Sequence, residues 1–179
     1  MNKKTNIVLI GFMGTGKTSV GLRISEITGM RFVDTDDIIE DESKMSISEI
    51  FSKMGEDYFR DLESESVKKV SQLSNHVIST GGGVVKRGQN VNNLKSTGII
   101  FCLDTTPELI MQRTKNYSHR PLLQVEDPVS HICKMLRERE PFYACADHRI
   151  DTSNLTINQV AEKIIGIFFK YYELSSPVE

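Results

Sequence analysis

The sequence predicts a single α/β domain, with five parallel strands in one sheet and helices on both faces. Three observations point there. Short apolar runs alternate with longer segments whose apolar residues recur at helical spacing, the pattern of a parallel sheet covered on both sides. The first apolar run passes directly into a glycine-rich turn, Gly11-Phe-Met-Gly-Thr-Gly-Lys-Thr18, and then into a helical pattern. The length, 179 residues, suits one domain with a sizeable core.

Asn6-Ile-Val-Leu-Ile10 reads as the first strand. Val20, Ile24 and Ile27 mark one face of the helix after the turn, and Gly29 ends it. Arg31-Phe-Val-Asp34 is the second strand. Ser46-Ile-Ser-Glu49 starts a short helix with Ile47, Ile50 and Phe51 inward, and a longer helix runs from about 57 to 73. Val77-Ile-Ser-Thr80 is β-branched and ends at Gly81-Gly-Gly83, as a strand meeting a ligand edge would. Gly98 introduces a strand over 99–103. Thr106 caps a helix that opens on Pro107. Ser130 to Arg139 is helical in pattern, and Pro141 should interrupt or end that segment. A last strand near 148–151 precedes a helix from about 156 to 172. The polar stretch Ser118-His-Arg-Pro-Leu-Leu-Gln-Val-Glu-Asp-Pro128 reads as a lid within the domain, spanning 116–128, and 175–179 as a frayed end. Spacing alone does not set the strand order.

The net charge of −2, from 22 basic and 24 acidic residues, argues against a general polyanion binder. With no basic run and no nucleic-acid motif, no nucleic-acid partner is expected. Cys102, Cys133 and Cys145 form no CxxC pair, which fits a reducing compartment, and Cys102 belongs to an apolar run as a core thiol. No stretch approaches a membrane span, and the residues before the first strand are too few for a signal peptide, so a cytoplasmic protein without a membrane partner is expected. His76, His119, His131 and His148 show no zinc-like arrangement.

Strand, glycine turn, Lys-Thr and helix together make a Walker A phosphate loop. Its glycines let backbone N–H groups close around phosphate oxygens, and the helix N-terminus adds unpaired N–H groups and partial positive charge. Lys17 can reach the β- and γ-phosphates, and the Thr18 hydroxyl can join a Mg²⁺ shell. Asp34-Thr-Asp36 follows the second strand, on the same sheet edge. Two readings stand for it: Asp36 on a substrate hydroxyl with Asp34 near Mg²⁺ waters, or acidic capping of the next helix assisted by Asp37. Residues 81–83 either present N–H groups to a ligand or form a plain turn. No Walker B aspartate ends the strand over 77–80, which weakens a motor ATPase or an ordinary GTPase. Arg60, Arg120 and Arg139 suit carboxylate and phosphate oxygens, or surface ion pairs, and sequence distance does not show that they converge.

Across residues 6–172 the chain resembles the bacterial shikimate kinase family. The loop at 11–18 is similar to that family's version, Asp34-Thr-Asp36 matches its acidic motif, and Phe59-Arg60, Gly81-Gly-Gly83, Arg120-Pro-Leu-Leu123 and Arg139-Glu-Pro-Phe-Tyr143 follow in order. The resemblance implies a three-layer, nucleoside-monophosphate-kinase-like fold with sheet order 2-3-1-4-5. It also implies ATP-dependent phosphorylation of the 3-hydroxyl of shikimate, in the route to chorismate and aromatic amino acids. Gly14, Thr15, Gly16, Lys17, Thr18, Ser19, Arg113 and Arg120 would bind ATP. Asp36, Arg60, Gly81, Gly82 and Arg139 would bind shikimate. Lys17, Asp36 and Arg120 would carry catalysis, with Mg²⁺ on Thr18 and, through water, on Asp34. A monomer is implied. The chain departs from many relatives at Asn154, where they place an arginine beside the adenine. The nearest alternative is another small-metabolite kinase of gluconate-kinase type. An alternative of a different class is a nucleotide-responsive binding protein that has lost catalysis.

Overall fold

The computed structural model describes residues 4–114 and 127–174. Its strands are β1 (Asn6–Gly11), β2 (Arg31–Asp34), β3 (His76–Ser79), β4 (Gly98–Asp104) and β5 (His148–Asp151). All pair in parallel, in the order β2-β3-β1-β4-β5, as the resemblance implied. The helices are α1 (Lys17–Thr28), α2 (Thr35–Ser43), α3 (Ile47–Val70), α4 (Gly88–Thr97), α5 (Pro107–Thr114), α6 (Pro128–Tyr143) and α7 (Ile157–Leu174), with a 3₁₀ turn over Val84–Lys86.

Alternation along the central strands builds the layers. Ile7 and Leu9 of β1, Val77 of β3 and Ile99, Phe101 and Leu103 of β4 pack with Val20 and Ile24 of α1 and Val160, Ile164 and Phe168 of α7. The intervening residues, Val8, Ile10, Ile78, Ile100 and Cys102, pack with Val67 and Val70 of α3, Leu94 of α4 and Tyr143 of α6. Every residue of β1 is buried, as expected of a central strand covered on both faces. Cys102 is in the core, and burial pushes its thiol well above the usual range. Two smaller clusters sit at the margins: Phe12, Ile110, Ile132 and Met135 between the phosphate loop, α5 and α6, and Ile39, Ile50 and Phe59 between α2 and α3.

Two expectations needed adjusting. The short and long helices of the 46–73 region are joined as α3, with a break at Gly55, whose φ of 85° and ψ of 172° are not helical. The Ser46 capping box starts this helix. The helix beginning near 130 runs past Arg139 to Tyr143, because Pro141 falls in its last turn and removes one backbone donor where the helix is already ending. The spacing did not reveal α4, whose composition is largely polar. The frayed end at 175–179 and nearly all of the lid at 116–128 lie outside the described residues. Among the described residues no helix is long and apolar enough to cross a membrane.

Candidate active site

Because the strands are parallel, their C-terminal ends share one edge, to which β1 and β3 each deliver a loop and β2 the capped start of α2. β1 ends at Gly11 and the phosphate loop follows. Gly11, Gly14 and Gly16 have φ of 140°, 75° and 96°, which side-chain-bearing residues rarely adopt. The curl is fixed from within. Lys17 Nζ donates to the carbonyls of Gly11 and Phe12, both at 2.9 Å, and Thr15 Oγ1 donates to Phe12 O at 2.8 Å. Thr152, just after β5, donates its hydroxyl to Thr15 O at 3.4 Å and braces the loop from behind. No side chain caps α1, whereas Asp34 caps α2 and Ser46 caps α3. That leaves the first-turn donors of α1 suited to an anion. Arg113, at the end of α5, donates to Gly14 O at 3.3 Å, so it lies beside the loop. Ser19 is exposed in the first turn of α1, and Asn154 is exposed in the turn after β5.

The capping reading of the acidic motif holds for Asp34, and its second oxygen meets the end of the phosphate loop. Its Oδ1 accepts from Asp36 N at 3.0 Å, which caps α2, and its Oδ2 accepts from Thr18 Oγ1 at 3.2 Å. The cap thus fixes a carboxylate against the residue that follows the loop lysine. Among the described residues no group of three or more His, Cys, Asp or Glu could hold a metal ion.

The glycine turn after β3 brings the remaining candidates together. A Cβ on Gly81 would lie 2.7 Å from Asp36 Oδ1 and 3.1 Å from Glu63 Oε1. One on Gly82 would lie 3.5 Å from Arg139 Nη1, and one on Gly83 would overlap the Arg60 guanidinium. Three consecutive residues therefore each admit a different charged group, and a side chain at 81 or 83 would collide with it. The turn is built for close approach, not merely for chain reversal. Arg60, Asp36 and Arg139 converge here, which sequence distance alone could not show. Arg120 lies outside the described residues.

The ion-pair reading of Arg60 holds, although one of its partners is not at the surface. It pairs with Glu63 through Nη1 at 2.9 Å and with Glu56 through Nη2 at 3.0 Å. Glu63 is fully buried. Desolvation raises its carboxyl above the ordinary range, and the Arg60 guanidinium opposes that rise without cancelling it. Arg139 lies over the Phe12 ring, 5.0 Å from its centroid. Tyr143 Oη donates to Gly82 O at 2.7 Å.

Sequence reasoning missed Glu63, Thr152 and the work of Phe12 and Tyr143. Glu63 stands three residues after Arg60 on one helix, and that spacing was the available signal. Thr152 had none, because its partner is distant in sequence.

The arrangement combines a glycine-rich loop whose helix donors suit an anion, a hydroxyl–carboxylate pair beside it, and a glycine turn bordered by Asp36, Glu63, Arg60 and Arg139. Comparisons with known proteins agree with this composition. The family model described as shikimate kinase matches residues 13–168. A shikimate kinase from Thermodesulfovibrio yellowstonii is 53% identical over 160 residues, covering 89% of this chain and 92% of that protein. One from Caldanaerobacter subterraneus is 50% identical over 165 residues, covering 92% and 96%. The solved structure of shikimate kinase from Acinetobacter baumannii in complex with shikimate superposes with a TM-score of 0.88 at 37% identity, covering 93% of this chain and 94% of that one. A family model spanning most of the chain, and relatives this similar over nearly all of it, show that the chain belongs to the shikimate kinase family.

Proposed function

We propose that the protein transfers the γ-phosphoryl group of ATP to the 3-hydroxyl of shikimate, giving 3-phosphoshikimate and ADP. The observation that carries this reading is the glycine turn, which gathers Asp36, Arg60 and Arg139 at the sheet edge where the phosphate loop opens. An acceptor with a hydroxyl at one end and a carboxylate at the other suits that set of charges. The shikimate held by the Acinetobacter relative, at 37% identity, supports the same acceptor.

On this reading the residues divide the work. Gly14, Thr15, Gly16, Thr18 and Ser19 cradle the phosphates with backbone and hydroxyl groups, and Arg113 lies on the adenine side. Lys17 leaves its carbonyl partners for the β- and γ-phosphates and spreads the charge of the moving group. Arg120 joins it from the lid, the role its Arg-Pro-Leu-Leu motif implies. Arg60 and Arg139 hold the shikimate carboxylate, and the N–H groups of Gly81 and Gly82 face the same molecule. Asp36 orients the acceptor hydroxyl and takes its proton as the new P–O bond forms.

The residues present suit Mg²⁺. Thr18 Oγ1 and Asp34 Oδ2 are hard oxygen donors 3.2 Å apart. Asp34 already accepts from Asp36 N, so a water-mediated contact suits its remaining lone pairs. When bound, Mg²⁺ supplies positive charge to the phosphate oxygens.

The test is turnover of the purified protein with ATP and Mg²⁺ against shikimate, gluconate and nucleoside monophosphates. Shikimate should be preferred by orders of magnitude. Preference for gluconate or a nucleotide would replace the acceptor, and no turnover with any of them would favour a binding protein.

A further inference from the structure

Two residues stand behind Arg139, and neither has a role in the chemistry set out above. Tyr143 is 2% exposed and lies one helical turn after Arg139, so both side chains leave the same face of α6. Its hydroxyl donates to Gly82 O at 2.7 Å. Phe12 is 1% exposed and offers its ring to the Arg139 guanidinium at 5.0 Å. The Gly82 backbone lies beside that guanidinium, since a Cβ there would lie 3.5 Å from Nη1. An arginine side chain is long and has many rotamers, and ordering it only when substrate arrives costs affinity. Here a ring, a hydroxyl-anchored peptide and a helix turn order it beforehand. Burial pushes the Tyr143 phenol well above its usual range, while the Arg139 guanidinium opposes that rise, so the hydroxyl remains a proton donor. It is therefore suited to holding a carbonyl and not to moving a proton.

We propose that Tyr143 and Phe12 are positioning residues, which fix Arg139 and the Gly82 peptide in the geometry that receives the acceptor's carboxylate. The inference rests on the shikimate reading of the site. It adds a link between its two halves, because the carbonyl of Phe12 accepts from Thr15 of the phosphate loop while its ring supports Arg139.

The test is the split between KM and kcat. Tyr143→Phe should raise KM for shikimate about tenfold, the scale of one hydrogen bond next to a charged group, with kcat and KM for ATP within about twofold. Phe12→Leu should raise KM for shikimate by about two- to fivefold, the scale of a partly exposed cation–π contact, and keeps the test alive if Tyr143→Phe does not fold. With the methyl ester of shikimate, which offers Arg139 no charge, both variants should match the wild type. Tyr143→Phe combined with Arg139→Ala should weaken shikimate binding by less than the two single losses combined. Unchanged KM for shikimate in the folded variants would overturn the proposal, and so would equal losses for acid and ester, which mark a general packing defect. Wild-type turnover of shikimate reports separately on the acceptor assignment.

Discussion

The phosphate loop draws its parts from consecutive positions, 11–18, whereas the charges around the glycine turn come from positions 36, 60, 63 and 139. The loop works mainly through backbone, with glycine conformations and internal bonds from Lys17 and Thr15 holding the curl. The proposed acceptor side gathers side chains on α2, α3 and α6, each held by a further side chain or by a glycine that makes room. The first kind of site fails when one of its own residues changes. The second should also fail when a neighbour changes, and that difference can be tested.

The largest expected effect belongs to the loop. Lys17→Ala should lower kcat by roughly 10²–10³-fold, the usual loss when one preorganised charge at a transition state is removed. The fold should persist, because β1 is buried against both neighbouring layers and α1 packs on one of them without the lysine. Steady-state rates at saturating ATP check this, and near-normal turnover would remove Lys17 from the chemistry. Next is Asp36→Asn, which should cost about 100-fold in kcat for shikimate, the lower end for a positioned base, while nucleotide affinity stays put. Asp34→Asn should instead make turnover depend more steeply on Mg²⁺. If nucleotide titrations show Asp36→Asn losing ATP and Asp34→Asn losing shikimate, the division between the two carboxylates is reversed.

The contrast also explains what the sequence made legible. The loop could be read because its residues are adjacent and each type has one physical use there. The strands were legible for a related reason: central β1, β3 and β4 are short apolar runs bounded by glycine or polar residues. Strand order came only through resemblance, since β1 pairs with β3 and β4 and not with β2, its neighbour in sequence. The acidic motif looked like a choice between cap and ligand, and Asp34 combines capping with a contact to Thr18. Glu63 escaped notice because a glutamate on a helix is ordinarily solvated, and only the fold buries this one against Arg60. Tyr143 could be quoted as part of a motif, but its bond to Gly82 spans 61 positions.

Gly83→Ala sharpens the comparison without touching a charged residue. Its Cβ would overlap the Arg60 guanidinium, the far end of a flexible side chain, so Arg60 should move while the fold holds. KM for shikimate should rise about tenfold, the cost of roughly one charge-assisted contact, with KM for ATP unchanged. A Gly83→Ala protein with wild-type KM for shikimate would show that Arg60 does not need its present position.

The smallest effect is expected at the outer partner of the same arginine. Glu56 is half exposed and pairs with Arg60 at 3.0 Å and with Lys86 at 3.1 Å. Lys86 and Arg60 hold its carboxyl below the ordinary range against some desolvation. A depressed carboxylate contributes stability above its unfolded value and loses it as pH falls through the folded one. Solvent screens this pair, so Glu56→Gln should cost less than about 1 kcal/mol at neutral pH, under about 4 °C in Tm for a domain of this size. That gap should close in acid, where the wild-type carboxylate is also neutral. KM for shikimate should move less than twofold, because Glu63 still holds Arg60 from the buried side. Melting curves across the acid range and a shikimate titration at neutral pH check both parts. A large rise in KM would mean that the arginine is placed from the surface and not from the core, and the acceptor side would then extend outward to the solvent-facing turn of α3.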